Sequence, residues 1–205
     1  MKQSLFTMEH ARQLTADTYE LVLSGDTSAI TAPGQFVNIQ LPGKFLRRPI
    51  SICNWTKDAL LLLVRVVGEG THDLVRCVPG TELDVLSGLG NGFDLAKGGA
   101  HPILLGGGIG IAPLYGLAQR MLEAGIAPTV GLGFRSGGDA FYLEEFGKLG
   151  CRLMVATEDG SLGTKGFVTD LARHVPECGY AFVCGPTPML RALKAYAKEQ
   201  GMECW

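Results

Sequence analysis

The hydrophobic and polar positions follow two different periods in the two halves of the chain. From residue 4 to about residue 87, apolar residues alternate with polar ones in short runs closed by turn residues. "DTYELVLSG" sets Tyr19, Leu21 and Leu23 against polar neighbours. "GQFVNIQLPG" sets Phe36, Ile39 and Leu41 inward, less regularly, and ends in Pro42-Gly43. "ALLLLVRVVGEG" and "GTELDVLSG" follow. A period of two over runs this short predicts β-strands, and strands at this spacing predict a closed or nearly closed antiparallel β-barrel. "THDLVRCV", residues 71–78, predicts a single helical turn between two of them. From about residue 101 the strand-like runs "PILLGG", "APTVGLGFRS", "CRLMVATEDG" and "YAFVCGP" alternate with the helical patterns "APLYGLAQRMLEAG", "GFVTDLARHV" and "TPMLRALKAYAKEQG". That alternation predicts a doubly wound α/β domain on a parallel sheet, with Gly201 stopping the last helix. The join falls near "DLAKGGAHP", giving two domains, 1–97 and 98–205.

Composition narrows the function. The 205 residues are 46% hydrophobic and 19% charged, which is ample material for two cores and unlike a disordered chain. A net charge of −2 argues against a general nucleic-acid binder. The opening "MKQSLFTMEH" lacks the pattern of a secretory signal, and the longest apolar run, "ALLLLV", is of strand length. The chain is therefore expected to be cytoplasmic, with no membrane span. The cysteines at 53, 77, 151, 178, 184 and 204 form no CxxC pair or cluster, which argues against a metal site. Most are expected to be small buried residues. His10, His72, His101 and His174 read as surface or local structural residues.

Glycine is the compositional outlier at 29 residues, about twice ordinary usage. In "LLGGGIGIAPLYG" Gly106, Gly107, Gly108 and Gly110 join a buried strand to a helix, with Ile111 next and Pro113 in the first turn. Such a turn aims unpaired N–H groups at a helix N-terminus, where phosphate oxygens bind, and lets a ligand approach where a β-carbon would collide. The alternative is a turn that is merely tight. The spacing is not the usual dinucleotide fingerprint, and no acidic residue ends the following strand, which closes on Arg135-Ser136. In "FVCGPTPML", Cys184 ends a strand at the carboxyl edge of the sheet and Gly185-Pro186 turns into a helix. It is either a residue of the ligand crevice or a core cysteine. Glu158 and Asp159 end the strand between them and read as a solvated loop.

In order, "RPIS", "GEGT", "LGNGFD", "GGGIGIAPL" and "CGPTPML" resemble the ferredoxin–NADP reductase superfamily, and most closely the electron-transfer subunit of type B dihydroorotate dehydrogenase. The resemblance runs over essentially the whole chain. It implies FAD on the barrel and NAD(H) on the α/β domain. It implies Arg48 at the FAD pyrophosphate, Pro49 and Ile50 shaping the flavin pocket, and Ser51 near flavin N5. Arg65, Val66 and Val67 would lie beside the flavin and its ribityl chain, and Gly70 and Thr71 at phosphate. Residues 106–110 and the Cys184–Pro186 turn would hold the nicotinamide nucleotide, with Ser51 and Cys184 nearest the reacting atoms.

The chemistry of those residues is consistent with this. A planar guanidinium engages pyrophosphate oxygens in a fork. Adjacent strand residues face opposite ways, so Arg47 is expected to face solvent if Arg48 faces phosphate. Hydride transfer needs placement, with reacting atoms within about 3–3.5 Å, rather than an acid–base triad. Arg135 and Ser136 could receive the 2′-phosphate of NADPH, but the family implies NADH. The implied partner is the catalytic dihydroorotate dehydrogenase subunit, in a hetero-oligomer serving pyrimidine biosynthesis. A [2Fe–2S] cluster is expected from the family, but its ligands are absent from this chain, whose ending "GMECW" is expected to be loosely held. Two other readings remain open: an NAD(P)H-dependent flavin reductase serving a hydrogenase, transhydrogenase or ferredoxin, and a non-catalytic NAD-sensing module.

Overall fold

The computed structural model describes residues 1–175 and 178–205. The chain divides into two compact units, Met1–Gly92 and Phe93–Trp205. The first is a closed barrel built from β1 (Lys2–Gln13), β2 (Thr18–Gly25), β3 (Phe36–Gln40), β4 (Arg48–Trp55), β5 (Ala59–Arg65) and β6 (Glu82–Leu89), in the order β1-β2-β5-β4-β3-β6. A short helix, α1 (Glu69–Val75), links β5 to β6. All barrel pairings are antiparallel. The alternating residues Phe6, Met8, Leu21, Leu23, Leu60, Leu62, Leu83 and Val85 fill the interior. In β3 the inward face is Val37 and Ile39, continued by Leu41, while Phe36 is only half-buried. The expected inward Phe36 is one position out of register, because side chains alternate strictly and Ile39 fixes the odd-numbered face.

The second unit is a six-stranded sheet in the order β10-β9-β8-β7-β11-β12, with every pairing parallel. Its strands are β7 (Ile103–Gly107), β8 (Thr129–Phe134), β9 (Arg152–Thr157), β10 (Thr164–Lys165), β11 (Tyr180–Cys184) and β12 (Glu203–Cys204). Its helices are α2 (Ala112–Glu123), α3 (Leu143–Lys148), α4 (Val168–Ala172) and α5 (Thr187–Gln200). One face of the sheet packs Ile103, Leu105 and Ala181 against Val168 and Leu171 of α4 and Leu193 of α5. Gly201 ends α5 at φ 64°, as expected for a helix stop. Strand order reverses direction at β7, which has β8 on one side and β11 on the other.

The chain end is not loose. Trp205 donates its N–H to Ala181 O at 2.9 Å and accepts from Val183 N–H at 2.8 Å, extending the edge of β11. Lys97 Nζ stands 4.9 Å from the centroid of the Trp205 ring. These bonds overturn the loosely held ending, since a strand edge holds whatever backbone pairs with it. None of the six cysteines is in a disulfide. Cys53 and Cys178 are buried, Cys77, Cys151 and Cys184 half-buried, and Cys204 exposed. No helix among the described residues is long and apolar enough to cross a membrane.

Candidate functional site

In the barrel unit, the feature that gathers the expected residues is a parting of two strands. Residues Arg48 to Ser51 of β4 register only with β3, and β4 meets β5 from Ile52 onward. Across the gap, Leu63, Val64 and Arg65 of β5 register only with β2. Ile52 donates its N–H to Gln35 O, on the β3 side, at 3.0 Å. By alternation, Pro49 and Ser51 turn their main-chain groups toward the open edge. Pro49 therefore sits where its missing N–H breaks no ladder. Pro49 and Ser51 are exposed and Ile50 is half-buried.

The two arginines divide sharply. Arg47 is committed to the barrel: Nη2 bonds Asp84 Oδ2 at 3.0 Å and Nη1 bonds the Asp84 and Asn38 carbonyls at 3.0 and 3.3 Å. It does not face open solvent as the alternation alone suggested, because the Asp84 carboxylate on β6 captures it. Arg48 has no carboxylate partner among the described residues; its Nη1 donates only to Leu46 O, at 2.6 Å. Its guanidinium lies against the first turn of α1, so closely that a β-carbon on Gly70 would fall 1.8 Å from Nε. The N–H groups of Glu69, Gly70 and Thr71 precede the first intrahelical bond, from His72 N–H to Gly68 O at 3.0 Å. A free cation beside free N–H groups is a setting for an anion.

Other residues expected here have structural work. The Thr71 hydroxyl accepts from Val67 N–H at 2.9 Å and donates to Gly68 O at 3.0 Å, so it shapes the turn from within. Arg65 Nε bonds Asp17 Oδ2 at 2.8 Å. Partial burial pushes the Asp17 carboxyl up, but hydrogen bonds from Arg65, Thr18 and Thr15 and the Arg65 charge together hold it below its usual range. Val66 is half-buried, and Val67 is 80% exposed.

In the second unit, the two glycine turns meet where strand order reverses. Cys184 of β11 is in register with Gly106 of β7. A β-carbon on Gly110 would fall 2.4 Å from Cys184 O, and one on Gly107 would fall 2.5 Å from Met189 Sδ. One on Gly106 would strike Ile111 Cγ2 at 2.8 Å. Internal packing therefore requires glycine at three of the four positions, as the merely tight turn would. Only Gly108 has open space before it, and it needs glycine for its φ of 53°. Pro113 lies in the first turn of α2, where no N–H is required, and Ile111 is fully buried beneath it. Pro186 is exposed beside this junction and Gly185 half-buried. Burial pushes the Cys184 thiol up, which disfavours the thiolate.

At the end of β8, Arg135 Nη2 bonds Asp139 Oδ1 at 3.1 Å and Ser136 Oγ donates to Asp139 Oδ2 at 3.0 Å. Asp139 was missed in the sequence because it lies beyond the strand end. A 3-10 turn, Gly137–Asp139, carries it back to the strand tip. The signal available was an acid four residues after a strand-terminal arginine. Glu158 and Asp159 are exposed on the neighbouring turn.

Ligands of open parallel sheets bind at the carboxyl ends of strands where the order reverses. The glycine turns of this sheet lie at that point, and the family model for the oxidoreductase NAD-binding domain matches residues 104–195. Among solved structures, the NADH-dependent reduced ferredoxin-NADP oxidoreductase studied for flavin-based electron bifurcation superposes with a TM-score of 0.88. It is 30% identical, covering 98% of this chain and 75% of its own. A barrel with such a sheet defines a flavin- and nicotinamide-binding oxidoreductase of the ferredoxin reductase type. The electron transfer subunit of dihydroorotate dehydrogenase B (NAD(+)) from Shouchella clausii is 42% identical over 208 residues, 97% of this chain and 80% of that protein. The one from Listeria monocytogenes is 40% identical over 203 residues, 95% and 79% of the two chains. The chain belongs to this family of electron transfer subunits.

Proposed function

We propose that the protein takes hydride from NADH, or returns it to NAD+, at FAD bound to the barrel. Electrons then pass between that flavin and the catalytic subunit of dihydroorotate dehydrogenase, in the cytoplasm and in the service of pyrimidine synthesis. Bound FAD supplies a ring that accepts an electron pair as hydride and passes electrons on singly.

The chain's own residues bind and orient. Arg48, with the first N–H groups of α1, holds the FAD pyrophosphate. The observation that carries the reading is that Arg48 is an uncommitted guanidinium laid over a glycine at a helix start, while its neighbour Arg47 is fully used. The parting of β4 from β5 offers the main-chain groups of Pro49 and Ser51 to the edge of a flat ring, and the Ser51 hydroxyl lies on that lip. These features fit a flavin nucleotide. Val66, Arg65 and Thr71 support the opposite lip. At the end of β7, Gly108 has open space before it for phosphate, and the interlocked turns at Gly107, Gly110, Cys184 and Gly185 form a rigid floor for the nicotinamide end. The neutral Cys184 thiol excludes water without offering charge.

The test is direct. Purified protein supplied with FAD should be yellow and should bleach with NADH under anaerobic conditions. With the catalytic subunit added, dihydroorotate should reduce NAD+. A colourless protein that takes up no FAD at micromolar concentration overturns the flavin assignment. Bleaching without coupling to dihydroorotate would move the partner to a ferredoxin-like carrier.

A further inference from the structure

We infer that Asp139 selects the nicotinamide nucleotide by neutralising Arg135, so that the end of β8 admits the adenosine ribose of NADH and refuses the 2′-phosphate of NADPH. The inference rests on the proposed NADH chemistry and names the residue that sets its specificity. Arg135 and Ser136 stand at the carboxyl end of β8, next to the reversal strand β7, where the far half of a dinucleotide lies in such sheets. An arginine and a serine there would suit a phosphate. Here both are already taken by one carboxylate, Asp139 Oδ1 by Arg135 and Oδ2 by Ser136.

The Arg135 side chain is exposed, but the turn that carries Asp139 is held in place. Asp139 N–H bonds Ser136 O at 3.1 Å, and Asp159 N–H bonds Arg135 O at 3.2 Å. The Ser161 hydroxyl accepts from Gly137 N–H at 2.7 Å and donates to Asp159 Oδ1 at 2.6 Å, tying the two turns together. Glu158 and Asp159 add exposed carboxylates on the next turn, and the stem of Lys165 packs over Gly160 beside them. A phosphate arriving at Arg135 must displace Asp139 and leave that carboxylate beside two more. A ribose hydroxyl instead donates to it.

The experiment measures binding of ADP-ribose and of 2′-phospho-ADP-ribose by calorimetry, with kcat/KM for NADH and NADPH in parallel. The wild type should prefer the unphosphorylated ligands. Asp139→Asn should raise affinity for 2′-phospho-ADP-ribose at least ten-fold, the scale of one charged hydrogen bond. The NADH/NADPH ratio should fall by a similar factor, chiefly through KM. Adding Arg135→Leu should abolish that gain. Asp139→Ser repeats the test should the asparagine variant fold poorly. A ratio that does not move, equal weakening of both ligands, or a wild type that already prefers the phosphorylated ligand overturns the inference. If neither nucleotide bleaches the flavin, the proposed function falls, and the two fragments still judge Asp139 separately.

Discussion

At the scale of single residues, the two neighbouring arginines separate function from stability. Replacing Arg48 with Ala should leave the barrel folded and cost FAD binding about 1.5–3 kcal/mol, one charged hydrogen-bonding contact. Flavin absorbance retained after gel filtration reads the loss. Replacing Arg47 with Ala should do the reverse: flavin affinity stays close to wild type while the midpoint of urea unfolding drops, because Asp84 loses its cation. The Asp84 carboxyl is held low chiefly by its hydrogen bond from Arg47, against partial burial and with help from Gln3. A carboxyl with a depressed folded pKa stabilises above its unfolded value, near 4, and that stability drains as pH falls through the folded value. Wild-type stability should therefore fall below about pH 4 more steeply than that of Arg47→Ala. Equal slopes in urea titrations at several pH values would discard the pair as a source of acid sensitivity.

At the scale of elements, the β7 and β11 turns behave as one object. Gly110→Ala places a methyl carbon 2.4 Å from the Cys184 carbonyl, and backbone cannot move aside as a flexible side chain does. The expected loss is about 1–3 kcal/mol or more, with NADH binding weakened together with stability. Gly108→Ala meets open space and suffers only from its left-handed φ, so its stability loss should be smaller and its nucleotide loss comparable. Thermal unfolding and NADH titration of both variants separate packing from approach. The barrel strands show the same lesson in register. The Leu and Val spacing predicted the elements, but which of Phe36 and Val37 entered the core was settled by its neighbours.

At the scale of the whole molecule, the chain forms two compact units, each with its own core, and the proposed function gives FAD to the first and the nicotinamide nucleotide to the second. A net charge of −2 gives the chain little overall charge with which to steer a partner. Anaerobic NADH should bleach the flavin with a rate that saturates in NADH, and Gly110→Ala should raise the half-saturating concentration without releasing FAD. Loss of FAD from that variant would show that the two units do not work as independent binding sites.

The fold class, the two glycine turns and the candidate cation at Arg48 were legible in the sequence. Periodicity and turn residues act locally, and a glycine or proline carries its backbone preference wherever it lies. Tertiary structure decided which members of those motifs are free. That Arg47 is consumed by Asp84, and that Gly107 and Gly110 make room for Met189 and the Cys184 carbonyl, depend on residues 37 to 82 positions away. Asp139 shows the same limit from the other side. A short turn brings its carboxylate back onto Arg135 and Ser136, and a hydrogen bond made through space leaves no period in a sequence.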